Sequence, residues 1–141
     1  MKRVSKILTP TDVGKNNSHL SAVRIPIGII GGGVFPSLST TVLNPKMDLL
    51  FYDENGKGWV FQLIFYNDKF FGKPLKLSHN EYRLSCVKEY ISAYGLDEGD
   101  TIWFSIDDND IRRVGFNKQT APETEDDGII YIRGGWKIYD F

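Results

Sequence analysis

Apolar residues recur at alternate positions through most of this chain, the period of half-buried strands, and only one stretch shows the three- and four-residue spacing of a helix. Arg3 to Thr9 alternates with Val4, Ile7 and Leu8 as apolar members, and Ala22 to Ile25 is a second short run ended by Pro26. Lys46 to Asp53 and Trp59 to Tyr66 flank Glu54-Asn55-Gly56-Lys57. An Asn-Gly pair between two apolar runs predicts a tight hairpin with both turn positions at positive φ. Glu81 and Arg83 fall two apart on a further strand. Ser85 is placed to cap a helix through Cys86, Val87, Tyr90, Ile91 and Tyr94, with Gly95 as its left-handed stop. Thr101 to Ile106 and Ile111 to Phe116 then predict a strand pair across the acidic turn Asp107 to Asp110.

Asn117 to Gly128 is polar, contains Pro122, Glu123, Glu125, Asp126 and Asp127, and reads as a loop. Ile129 to Arg133 and Trp136 to Tyr139 are strand-like around Gly134-Gly135. We therefore divide the chain into a β domain over 1–118, an acidic loop or linker over 119–128, and a C-terminal segment, 129–141, expected to close the same barrel. Seven or so short strands with one or two short helices predict a mainly β fold, barrel or sandwich.

At 141 residues, 41% hydrophobic, the chain can bury one core. No segment reaches the roughly 18 apolar residues of a membrane span, and no apolar run follows a basic start, so the expected compartment is the cytoplasm. Cys86 is the single cysteine, which excludes an internal disulfide and any multi-thiolate metal site. The net charge of −1 conceals a dipole. Residues 1–88 carry 12 Lys/Arg against 6 Asp/Glu, and residues 89–141 carry 5 against 12. A basic half suits contact with phosphates, because neutralising the backbone supplies much of the affinity for nucleic acid; a mixed surface with an acidic tail would have the same counts.

Several patches together resemble a known family. They are Leu8-Thr9-Pro10-Thr11-Asp12-Val13-Gly14 with His19 following, Arg24-Ile25-Pro26, Phe35-Pro36-Ser37, Leu43-Asn44-Pro45, Phe71-Gly72-Lys73, Asn80-Glu81-Tyr82-Arg83-Leu84-Ser85, and the helix and strand from Val87 to Ile106. In this order they resemble the N-terminal effector-binding domain of EcoRII-type restriction endonucleases, over roughly residues 6–116. The resemblance implies a B3-like DNA-binding pseudobarrel that grips one duplex from the major groove with an N-arm, here Thr11 to Leu20, and a C-arm, here Asn67 to Arg83. It also implies a prokaryotic cytoplasmic protein. The region of Pro74 to His79 is slightly longer than that family leads one to expect, and residues 117–141 have no counterpart in it.

The residue types in both arms suit that role. Lys15, Asn16, Asn17, Ser18 and His19 are five polar side chains in a loop without apolar anchors, the composition of a binding loop. The C-arm mixes Lys69, Lys73, Lys76 and Arg83 with Asn67, Ser78, His79, Asn80 and Glu81. Base edges are read by arginine on guanine, asparagine on adenine and carboxylate on the cytosine amine, while lysines meet phosphates. We expect base contacts from Asn17, Ser18, His19, Lys76, Asn80, Glu81 and Arg83, with Glu81 as the cytosine reader. Phosphate contacts are expected from Lys15, Asn16, Arg24, Lys69, Lys73, Ser78 and His79. The plainer alternatives are a surface ion pair for Glu81 and Arg83, turn formation for Asn16 and Asn17, and solvated histidines.

No acidic residue has a lysine two places on, the spacing common at Mg²⁺ sites of restriction nucleases, and neither histidine has a placed nucleophile. Gly31-Gly32-Gly33 does not fit a dinucleotide-binding pattern. We expect a non-catalytic, cofactor-free, monomeric domain that reads a short pseudopalindrome such as CC(A/T)GG in double-stranded DNA, covalently linked to a nuclease domain elsewhere in a type II restriction endonuclease. A protein-interaction barrel is the first alternative, and a small-molecule-binding barrel the second.

Overall fold

The computed structural model describes residues 2–14, 22–67, 81–119, 130–132 and 135–140, the side chains of 130–132 and 140 excepted. Among these residues nine strands form one sheet: β1 (Lys2–Ile7), β2 (Ala22–Ile25), β3 (Lys46–Tyr52), β4 (Gly58–Tyr66), β5 (Glu81–Ser85), β6 (Thr101–Ile106), β7 (Arg112–Asn117), β8 (Ile130–Ile132) and β9 (Trp136–Asp140). The order across the sheet is β2-β5-β4-β3-β7-β6-β1-β9-β8. All neighbours are antiparallel except β3 and β7, which run parallel from Phe51 opposite Arg112. One helix, α1 (Val87–Ala93), and one 3-10 turn (Ile27–Ile29) complete the fold. It is mainly β, as the alternation predicts.

Alternation also decides what lies inside. Phe61, Leu63 and Phe65 of β4, Tyr82 and Leu84 of β5, and Ile102, Phe104 and Ile106 of β6 all point to the core. At its centre Phe104 meets Phe35 and Phe51 with ring centroids 5.4 Å away and Phe61 at 6.2 Å, and Trp136 from β9 lies behind it at 6.4 Å. Phe35 reaches this cluster from the glycine turn before it. The Gly31 amide donates to the Phe35 carbonyl at 2.8 Å, and Arg112 grips the same turn by donating from Nε to the Val34 carbonyl at 2.8 Å.

The helix ends as its sequence predicts. Gly95 is left-handed at φ +60°, its amide donates to the Ser92 carbonyl and the Leu96 amide to the Ile91 carbonyl, and buried Ile91 and Leu96 close the motif. Its start differs from the expectation. Ser85 ends β5, and its hydroxyl donates to the Gln62 carbonyl; Cys86 takes the cap position at φ +70° with no side-chain cap bond.

The Asn55-Gly56 hairpin joins β3 and β4, but by a different turn. Only Gly56 takes positive φ there; Asp53 accepts from the Gly56 amide, and the Asp53 amide donates to the Lys57 carbonyl, which makes a three-residue loop rather than a two-residue one. The β6–β7 turn repeats the geometry with Asp107, Ile111 and a left-handed Asp110. In each, one carboxylate oxygen of the first aspartate accepts two loop amides, Asn55 and Lys57 for Asp53, Asn109 and Ile111 for Asp107. The Asp107 carboxyl is held below the usual range by the Arg113 guanidinium at 2.6 Å and by those amides.

On the outer face, the Trp103 ring lies flat on its cross-strand partner Gly115, with the Arg3 guanidinium 4.0 Å above it. A methyl group on Gly115 would stand 1.9 Å from Trp103 Cζ2. Gly115→Ala should therefore displace the indole and lower stability by about 1–3 kcal/mol. The same change in a Trp103→Ala chain should have little further effect, and urea melts of the four combinations test this.

Candidate nucleic-acid interface

The segment after β1, where the expected N-arm begins, is a turn built from its own polar side chains. The Thr9 amide donates to Asp12 Oδ2 at 2.9 Å and the Asp12 amide to Thr9 Oγ1 at 3.3 Å, while the buried Lys6 ammonium closes on the same Asp12 carboxylate. Gly14 follows at φ +82°, with Lys88 of α1 beside it; a Cβ there would meet the Lys88 ammonium at 3.7 Å. The helix thus backs the root of the N-arm.

The β4–β5 ladder, between whose strands the expected C-arm falls in sequence, ends with Tyr66 opposite Glu81. The first root of that arm is fixed by a reciprocal asparagine pair. The Asn44 amide donates to Asn67 Oδ1 at 2.8 Å, the Asn67 amide to Asn44 Oδ1 at 3.1 Å, and fully buried Asn67 donates from Nδ2 to the Val42 carbonyl at 2.7 Å. Left-handed Asn44, at φ +47°, makes this possible. The second root is charged. Arg83 donates from Nε to Glu81 Oε1 at 2.7 Å, and its terminal nitrogen closes on the same oxygen. Arg24 of β2 pairs with the other oxygen, Oε2, at 3.1 Å.

These three charged residues share one face because β2 and β5 are antiparallel, with Arg24 opposite Arg83, while Val23, Ile25, Tyr82 and Leu84 face the core. The Arg83 guanidinium also lies 5.5 Å from the Tyr66 ring centroid. The result is a basic ledge on the face of β2 and β5 turned away from the core. Ala22, where the N-arm returns, sits opposite Ser85, and Ile25 sits opposite Tyr82, one residue from the C-arm root. At about 3.4 Å per residue, the two roots lie roughly 10–14 Å apart along the ladder.

Of the residues expected to meet DNA, Arg24, Glu81 and Arg83 are therefore brought together. Lys15, Asn16, Asn17, Ser18, His19, Lys69, Lys73, Lys76, Ser78, His79 and Asn80 lie outside the described residues. The Glu81 carboxylate, expected to be presented to cytosine, is only 7% exposed and faces arginine on both oxygens. Sequence reasoning did not find Tyr66, Asn44 or Lys88. Tyr66 and Asn44 act through nonlocal partners, whereas Lys88 was legible as a lysine on the polar side of α1.

Other polar clusters have different roles. The Asp107–Asp110 turn is tied to Arg113, and among the described residues no three His, Cys, Asp or Glu side chains gather as metal ligands would. Among the described residues no helix is long and apolar enough to cross a membrane.

No protein-family model and no curated protein matches this sequence. Among solved structures, the fold is similar to that of the Arabidopsis FUS3–DNA complex, with a TM-score of 0.61 and 20% identity, over 82% of this chain and 96% of that one. Among the described residues, the curled sheet of nine strands with one helix has the fold of a B3-like pseudobarrel.

Proposed function

We propose that this chain binds double-stranded DNA sequence-specifically, with the β2–β5 ledge facing the duplex and an arm on either side of it. The observation that carries this reading is the gathering of Arg24, Glu81 and Arg83 on one face of the β2–β5 ladder, whose ends at Ala22 and Glu81 adjoin in sequence the two polar segments 15–21 and 68–80. Support comes from the likeness in fold to a protein solved in complex with DNA. The separation of the arm roots is comparable to the major groove, about 12 Å wide. In this reading Asn17, Ser18, His19, Lys76, Asn80 and Arg83 meet base edges, and Lys15, Asn16, Arg24, Lys69, Lys73, Ser78 and His79 meet phosphates or the sugar backbone.

The finer reading rests on the sequence resemblance alone. In it the domain is the recognition part of a type II restriction endonuclease, joined to a catalytic domain, and its site is a short pseudopalindrome such as CC(A/T)GG.

Titration against a labelled CC(A/T)GG duplex and a scrambled duplex at two salt concentrations tests both levels. We expect tight binding to the first, weakening as salt rises. Equal, weak binding to both would remove the inherited site, and no binding at low salt would remove DNA and favour a protein-interaction barrel. Arg24→Ala should weaken binding to all duplexes evenly and reduce the salt slope by about 1.

A further inference from the structure

We propose that Glu81 is a positioning residue: its buried carboxylate holds Arg24 and Arg83 side by side in one pose for the duplex and makes no base contact of its own. This inference rests on the DNA-binding reading above and assigns Glu81 a role different from cytosine readout.

Arg24 and Arg83 are direct cross-strand partners, and like charges so placed repel one another. Left alone, two long side chains would splay apart and sample many rotamers. Glu81 stands two residues from Arg83 on the same face of β5, within reach of both. It meets Arg83 through Oε1 and Arg24 through Oε2, so each oxygen is committed to a different guanidinium. The ring of Tyr66 bounds Arg83 from the other side.

Exposure separates the roles. The Glu81 side chain is 7% exposed, Arg83 is 24% exposed and Arg24 is 72% exposed. A cytosine amine approaching Glu81 would have to displace an arginine. Two arginines and one glutamate keep the ledge at a net charge of +1, so it still attracts phosphate. Prepaid ordering of this kind also lowers the entropy lost when a side chain is immobilised on binding. Because Arg24 lies on the strand that the N-arm returns into and Arg83 on the strand that the C-arm returns into, the carboxylate also ties the roots of the two arms together.

The first test needs no DNA. In the free ¹⁵N-labelled chain, Arg24 and Arg83 should give slowly exchanging Nε–H signals, assigned by Arg24→Lys and Arg83→Lys. Glu81→Gln should move both towards solvated positions. Should Glu81→Gln fail to fold, Arg24→Gln, at an exposed position, should release Arg24 while the Arg83 signal persists.

The second test measures affinity for the preferred duplex and for its single-base variants. Positioning predicts a loss of roughly tenfold or more for Glu81→Gln, part of it as relaxed preference at the base that Arg83 meets and part as an even loss from the phosphate that Arg24 meets, and less than about twofold further loss when Arg24→Gln and Arg83→Gln are already present. Relaxed preference at a single C·G pair, persisting without the arginines, would overturn the proposal in favour of direct readout. A chain that binds duplex and keeps both signals and preferences in Glu81→Gln would overturn the clasp alone. A chain that keeps both signals yet binds no duplex would overturn the DNA reading, and presentation to DNA with it.

Discussion

Phe104→Ala should lower the stability of this protein by about 3–5 kcal/mol, the range for removing a fully buried aromatic ring. Phe104 is fully buried where β6 crosses the centre of the core, and it touches rings from four different segments: Phe35 after the glycine turn, Phe51 of β3, Phe61 of β4 and Trp136 of β9. No neighbour can fill the space without leaving its own edge-on contact, so the lost burial and the cavity add together. Equilibrium urea melts should show a lower midpoint with an unchanged slope. A loss below about 1 kcal/mol would mean that the four segments do not converge on this ring.

The second large effect lies at Asp53, which joins the β3–β4 hairpin to the helix. Its carboxylate accepts from Trp59 Nε1 at 3.0 Å, from the Tyr94 hydroxyl, and from the Asn55 and Lys57 amides at 2.9 Å each. Asp53→Ala leaves those donors without their acceptor and should destabilise by about 2–3 kcal/mol. Burial works against the charge, but the bonds from Trp59, Tyr94 and the two amides outweigh it and hold the carboxyl at about 2. A carboxyl lowered by folding contributes its full stabilisation above the unfolded value of about 3.9 and loses it as pH falls towards 2. Asp53→Asn lacks this charge and places an amide N–H against Trp59. The gap between the two proteins should therefore narrow between pH 5 and pH 2; parallel curves through that window would contradict the charged role of Asp53.

Strands were legible because each buries one face, which forces period two onto the sequence. The helix stop was legible for a similarly local reason, since only glycine enters the left-handed region freely. The Asn-Gly hairpin was found with the wrong turn because the same pair also suits a three-residue loop with only the glycine left-handed, and the choice is made by the Asp53 carboxylate gathering two amides. Ser85 misled because a hydroxyl before a helical run resembles a cap, whereas its partner is a β4 carbonyl 23 residues away. At the site, Arg24 and Glu81 were each singled out, but for separate tasks. What unites them is the β2–β5 pairing, a contact across nearly 60 residues that no local pattern encodes.

The central claim is that the β2–β5 ledge is the face that meets DNA. Amide and tryptophan shifts in the ¹⁵N-labelled chain, followed through a titration with a CC(A/T)GG duplex at low salt, test it most directly. The account predicts the largest changes at Ala22–Ile25 and Glu81–Ser85, with the Trp103 indole and the exposed Leu50 and Val60 of the β3–β4 hairpin unmoved. Changes centred on Trp103, Leu50 and Val60, with the ledge silent, would contradict it.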